Sequence, residues 1–216
     1  NTATDPLRDC AMCPRLVAYR TDLRAQEPDW FNAPVPTLGP KSARLLVVGL
    51  APGVKGANRT GRPFTGDYAG DLLYATLAAH GFSNGNYDRR PDDGLELRDA
   101  AITNAVRCVP PQNKPVGAEI KACRAFLSAT LAAYQQLAVV ICLGRISHQS
   151  VVAALGQKQS AYVFGHASEH QISGLTLIDS YHCSRYNTNT GRLTEAMFHD
   201  VFALARARLD GSRRLD

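Results

Sequence analysis

Residues 44–67 read "RLLVVGLAPGVKGANRTGRPFTGD". The change of character within this stretch sets the fold. Its first part, "RLLVVGL" (44–50), is a short apolar run with no polar alternation. Such a run suits a strand buried on both faces, as in a parallel sheet. The second part carries Gly49, Gly53, Gly56, Gly61 and Gly66 together with Arg59, Arg62, Phe64 and Asp67. Glycines after a strand let a ligand approach the backbone closely. The stretch has neither G-x-G-x-x-G nor G-K-S/T, which weakens the dinucleotide and P-loop readings. A glycine-rich loop with no ligand leaves Phe64 unexplained. A ring in such a loop is either a stacking surface for a base or a buried anchor.

Three further runs resemble the first. "LRDAAITNAVRC" (97–108) holds a strand ending near Asn104, "LAVVICLG" (137–144) a third and "LTLIDSYH" (175–182) a fourth. Between them the apolar spacing is helical at 70–82, with Gly81 as its stop, at 118–134 and at 146–156. A last helix spans 194–209, with Thr194 as its cap, and another starts after Pro14. "EPDWFNAPVPTLGP" (27–40) reads as loop. Strand alternating with helix predicts an α/β fold, a three-layer α/β/α arrangement around a central four-stranded parallel sheet. We expect one domain over 1–216, with 1–40 as a separate N-terminal segment and 210–216 as a frayed tail. Ligands of such sheets bind beyond the carboxyl ends of the strands. That rule gathers Gly49–Asp67, Asn104, Gly144–His148 and His182–Arg192 at one edge.

Composition narrows the function. The chain has 216 residues, 45% hydrophobic and 20% charged, which is ordinary for a globular protein. Its longest apolar runs are far too short to span a bilayer. The start, "NTATDPLRDC", has no apolar signal core. A cytoplasmic protein, without membrane attachment, is expected. The net charge is +5 and the pI about 9.0. Of 24 basic residues, 19 are Arg and five are Lys. Arginine forks onto phosphates, so the bias suits a polyanion partner; a coding bias explains it nearly as well.

Six cysteines stand at 10, 13, 108, 123, 142 and 183. Cys142 lies inside an apolar run and reads as a core thiol. Cys183 follows His182 in a loop, and its role stays open. Cys10, Cys13, Cys108 and Cys123 form a set with one C-x2-C knuckle and two single members, in mostly polar sequence. Four thiolates can hold zinc or an iron–sulfur cluster, and the spread suits the cluster somewhat better. His182 ends a strand beside Ser184, Asn187 and Arg192. His148 is read as structural, although its position leaves it near the same edge.

"GLAPGVKGANRTGRPFTGD", "ITNAVRCVPPQNKP", the four cysteines and "SYHCSRYNTNTGRLT" together resemble the uracil-DNA glycosylase superfamily. They are most similar to its family 5, B-type iron–sulfur members. The resemblance runs from Cys10 to about Phe202. It implies base-excision repair: hydrolysis of the N-glycosidic bond of uracil, and of hypoxanthine and xanthine, in double- or single-stranded DNA, by a monomer. It implies a 4Fe–4S cluster on Cys10, Cys13, Cys108 and Cys123. It makes Phe64 the ring that stacks on the flipped base and Asn104 the amide that reads the base edge. His182 faces the base oxygen, and Asp67 is a catalytic carboxylate. Uracil-specific relatives carry a water-activating side chain where this chain has Ala51, and a tyrosine wall where it has Gly53, so a broader pocket is expected. Arg59, Ser184, Arg185, Tyr186 and Arg192 become candidate DNA contacts, with Tyr186 or Arg185 as the wedge; each arginine is equally well a solvated surface residue. Cys183 replaces the proline of the His-Pro-Ser found in many members, which loosens that loop. Two alternatives stay open: a catalytically weak iron–sulfur nucleic-acid-binding protein on the same fold, and a nucleotide enzyme on a similar sheet.

Overall fold

An unbroken apolar strand has no side to give to water, so a sheet made of such strands needs cover on both faces. The computed structural model describes residues 3–212. Its elements run α1 (Pro14–Gln26), β1 (Leu45–Gly49), α2 (Ala57–Thr60), α3 (Tyr68–Ala79), β2 (Ser83–Asn84), β3 (Glu96–Leu97), β4 (Ala100–Asn104), α4 (Gly117–Ala133), β5 (Val139–Leu143), α5 (Arg145–Ala154), β6 (Glu169–Ile172), β7 (Leu175–Ser180), α6 (Arg185–Asn189) and α7 (Glu195–Ser212). The main sheet has the order β4-β1-β5-β7-β6. β4, β1, β5 and β7 are parallel and are the four strands expected from sequence. β6 adds a fifth, antiparallel to β7 at the edge. Only Ile172 of its four residues is buried, so it carries no apolar pattern. Its signal lies in the turn. Ile172 pairs with Leu175 across Ser173 and Gly174, both at positive φ, which is the backbone of a two-residue hairpin.

β1 divides its side chains between two cores, as the pleat requires. Leu45 and Val47 pack with α3 and α7 through Leu73, Leu77, Phe198 and Phe202. Leu46 and Val48 pack with α4 and α5 through Leu127, Leu131, Val151 and Val152. The three layers follow. α7 opens on Thr194, whose hydroxyl accepts from the Met197 amide at 3.2 Å. It runs to Ser212, so 210–212 continue the helix where a frayed tail was expected; 213–216 lie outside the described residues. Among the described residues, no helix is long and apolar enough to cross a membrane.

The N-terminal segment gives no strand to the sheet, touching it through a bridge of Leu38 to Ile102 of β4, and polar contacts hold it. The fully buried Arg107 donates to the Asp5 carboxylate at 2.6 Å and to the Thr37 and Thr130 hydroxyls at 2.8 and 2.9 Å. Arg15 forks onto Glu119 at 2.7 and 2.8 Å and ties α1 to α4.

A second buried pair joins α5 to β7. His148 Nδ1 lies 2.8 Å from Asp179 Oδ1, and its Nε2 donates to the Tyr162 carbonyl at 2.9 Å. Burial opposes a charge on His148, but the hydrogen bond and charge of Asp179 outweigh it and raise the pKa above 6.5. The stabilising charge is therefore present below the ordinary value and lost as pH rises through the raised one. Replacing His148 by Leu leaves the Asp179 carboxylate buried without this partner. We expect a loss of about 3–5 kcal/mol in urea unfolding near pH 6, largely restored when Asp179 is also made Leu.

Candidate functional site

A cavity of about 580 Å³ opens at the carboxyl ends of β1, β4 and β7, where a sheet of this winding places its ligands. Ala51, Gly53, Phe64, Asp67, Asn104, His182, Ser184 and Arg185 line it, as do Tyr68 and Asn113. Neither Tyr68 nor Asn113 stood out in the sequence. Asn113 reaches the cavity from a short turn after β4 in which Gln112 and Asn113 both hold φ 56°. Asparagine tolerates that left-handed backbone, so "PPQNKP" did carry a signal.

The floor of the cavity is set by Gly49, which pairs with Asn104 across β1 and β4. A Cβ at residue 49 would fall 2.5 Å from Phe64 Cζ and onto Asn104 Oδ1. Phe64 is 7% exposed and takes φ 52°. Its ring lies nearly parallel to His182, with centroids 6.1 Å apart at 27°. Asn104 is buried, and its Oδ1 has no hydrogen-bond partner. The stretch between, expected as loop throughout, contains the single turn α2, closed by Gly61 at φ 77°.

Asp67 caps α3, accepting from the Gly70 amide at 3.2 Å through Oδ1. Its Oδ2 stands 3.0 Å from the place of a Cβ on Gly53 and fills the space beside Gly56. The Gly53 wall is thus open to substrate only in part, because Asp67 occupies the rest. Burial raises the pKa of Asp67, and the Gly70 amide works against that rise. Burial pushes His182 down to about 4, so its imidazole is neutral at neutral pH.

Cys10, Cys13, Cys108 and Cys123 line one small pocket with Leu16, Val17, Val106 and Phe126. Two N–H donors face these sulfurs: the Arg107 amide to Cys123 at 3.3 Å and the Arg20 guanidinium to Cys108 at 3.6 Å. Burial pushes the Cys13 thiol up to about 11 and the Cys108 thiol up to about 12. Among the described residues, one set of three His, Cys, Asp or Glu ligand atoms lies within 4.8 Å of one another. It is His148, His170 and Asp179, and it includes no cysteine. Both nitrogens of His148 are already engaged there.

The basic candidates separate. Arg185 sits at the cavity mouth with its guanidinium 5.3 Å from the Tyr68 ring centroid. Arg192 lines an adjoining cavity with Arg145, lying 4.7 Å from the Tyr181 ring centroid. Arg59 is outside both, in a groove with Phe31, Arg89 and Arg90. Tyr186 is 73% exposed.

A model of the uracil DNA glycosylase superfamily matches residues 36–206. The chain belongs to that superfamily. It is 43% identical over 207 residues to a type-5 uracil-DNA glycosylase of Thermus thermophilus, covering 93% of this chain and 94% of the relative. It is 41% identical to one from Pyrobaculum aerophilum, covering 93% and 89%, and 39% identical to one from Mycobacterium bovis, covering 91% and 77%. Within this glycosylase, a methyl at position 49 must displace the Phe64 ring or the Asn104 amide. Gly49→Ala is expected to fold, as judged by circular dichroism, yet to release uracil from a duplex about a hundredfold more slowly in single turnover.

Proposed function

We propose that the chain is a DNA-repair glycosylase that hydrolyses the N-glycosidic bond of uracil in DNA and leaves an abasic site. The observation that carries the reading is the convergence of a ring, a partnerless amide oxygen, a carboxylate and a neutral imidazole on one cavity. A base inside a duplex is out of reach. It must be flipped out at a cost of roughly a few kcal/mol, and stacking on Phe64 offsets about 1–3 kcal/mol of this. Asn104 Oδ1 accepts from the uracil N3–H, and the amide's nitrogen donates to the neighbouring carbonyl. Negative charge builds on the departing base while the sugar becomes oxocarbenium-like. His182 donates a hydrogen bond to the base oxygen as that charge grows; being neutral, it does so without protonating the base. Asp67 Oδ2 stabilises the cationic sugar and orients water. Ala51 offers water no polar group; Asn113, which lines the same cavity, supplies an amide for it.

The absence of a side chain at Gly53 and the size of the cavity support entry of hypoxanthine and xanthine as well. Ser184 and Arg185 at the mouth, and Arg192 in the adjoining cavity, meet phosphates of double- or single-stranded DNA, and Tyr186 is the wedge. Arg59 extends this contact farther along the strand.

Cys10, Cys13, Cys108 and Cys123 hold a 4Fe–4S cluster on this reading. The shared pocket, its apolar walls and the two N–H donors support a thiolate-held group, and the family resemblance favours the cluster among such groups. When bound, it would cross-link the N-terminal segment to α4 and the turn after β4. The purified protein is expected to contain iron and a visible absorption band, both lost in Cys108→Ser; zinc without iron would exclude the cluster.

The assay for activity uses duplexes with one uracil, hypoxanthine or xanthine, followed by alkali. Strand breaks at the lesion are expected; binding without breaks would reject the enzyme reading. Single-turnover rates are expected to fall as pH drops through the raised pKa of Asp67, above 3.8, and to show no inflection near 6.5, because His182 stays neutral down to about 4. An inflection near 6.5 that disappears in His182→Ala would contradict the neutral donor. His182→Ala itself is expected to cost about a hundredfold or more in rate with little loss of DNA affinity.

A further inference from the structure

Phe64 holds a backbone conformation that phenylalanine rarely adopts. Its φ of 52° lies in the left-handed region, where a bulky residue persists only if the surroundings over-determine it. The turn matters because it brings the ring back over Gly49 toward His182. One hydroxyl closes it from behind. Tyr87 Oη donates to the Phe64 carbonyl at 3.1 Å and accepts from the Gly66 amide at 3.2 Å. It therefore ties the carbonyl of the strained residue to the amide two positions on, across Thr65, and fixes the exit of the turn. Gly70 leaves the room for this, since a Cβ there would strike the Phe64 carbonyl.

Tyr87 is itself fixed. Its ring stacks on Tyr74, with centroids 4.4 Å apart at 21°, and the Tyr74 hydroxyl donates to the Pro63 carbonyl at 2.6 Å. The Arg62 guanidinium lies 5.3 and 5.6 Å from the two ring centroids. It forks onto Asp93 at 2.7 Å through each nitrogen, and its Nε donates to Thr65 Oγ1 at 2.8 Å. The Asp93 side chain is 1% exposed and also accepts from the Asp88 and Leu95 amides. The segment from Tyr87 to Leu95 is thus latched onto the back of residues 62–66. Tyr87, Arg62 and Asp93 do not line the base cavity.

We propose that Tyr87 is a positioning residue for base removal that acts through Phe64, with the Arg62–Asp93 pair holding Tyr87 in place. The proposal rests on the reading of Phe64 as the base-stacking ring. Tyr87→Phe deletes the hydroxyl and keeps the stack on Tyr74, so it is the mild variant. It is compared with wild type, Phe64→Ala and the double variant in single-turnover excision from a uracil duplex. Inhibition by free uracil and affinity for an undamaged duplex are measured alongside. Tyr87→Phe is expected to slow excision about tenfold, the scale of one hydrogen bond. It is expected to weaken inhibition by free uracil, with undamaged-duplex affinity unchanged and melting lowered by only a few degrees. The double variant is expected to be no slower than Phe64→Ala alone, because Tyr87 has nothing left to position. A double variant slower than Phe64→Ala by the Tyr87→Phe factor would overturn the proposal. So would a fully active Tyr87→Phe beside an impaired Phe64→Ala. Wild-type rates in Phe64→Ala would instead remove the stacking role itself, and the brace with it.

Discussion

At the carboxyl end of β1, a Cβ on residue 49 would lie 2.5 Å from Phe64 Cζ and against Asn104 Oδ1. Three parts of the chain therefore meet over a single hydrogen atom. The parallel register sets Gly49 opposite Asn104. The pairing continues past both strands, with the Ala105 amide donating to the Gly49 carbonyl and the Val106 amide to that of Leu50, each at 2.9 Å. Asn104 is thus held beside β1 by backbone alone, and its side chain needs no partner of its own to stay in place. Phe64 comes back over the glycine from fifteen positions on in sequence, and the cavity lies above them.

Two further glycines of the stretch serve a carboxylate rather than a phosphate. Gly53 and Gly56 both leave room for Asp67 Oδ2, while Oδ1 is taken up by capping α3. A Cβ at Gly56 would collide with that oxygen, so the glycine spacing and the carboxylate belong together. Ala51 is constrained from two sides. It lines the cavity and also packs against the cluster of Leu16, Val106, Cys108 and Cys123. On the proposed mechanism the polar work falls to Asp67 and Asn113.

The parallel strands were legible because each is an apolar run of a length that only a doubly covered strand explains, and the cavity followed from where such strands end. What stayed hidden has no apolar periodicity. β6 is a polar edge strand, α2 is a single turn among glycines, and Asn113 is one amide in a proline-flanked turn. The brace on Phe64 was illegible for another reason: Arg62 and Asp93 are 31 residues apart, and nothing in either local sequence names the other. The C-x2-C knuckle was visible as a spacing. Cys108 and Cys123 joined it by setting aside Cys142 and Cys183; that they share its pocket depends on α4 folding back against α1, and the family resemblance made the four cluster ligands.

The loop that carries His182 shows how one physical effect serves two residues. Where many relatives have a proline between the histidine and the serine, this chain has Cys183, and the rigidity of that ring is absent. Hydrogen bonds take its place. The Ser184 hydroxyl caps α6 by accepting from the Asn187 amide at 3.4 Å, and Asn187 Nδ2 donates to the His182 carbonyl at 2.8 Å. The Cys183 side chain is fully buried, with Sγ 3.6 Å from the Ala69 carbonyl at the start of α3. This contact anchors the loop beside Asp67. Burial raises the pKa of the Cys183 thiol, so it stays protonated. It lowers that of His182, so the imidazole stays neutral. Desolvation favours the uncharged form of each group: it leaves the buried sulfur inert and the adjacent ring, which lines the cavity, a neutral hydrogen-bond donor.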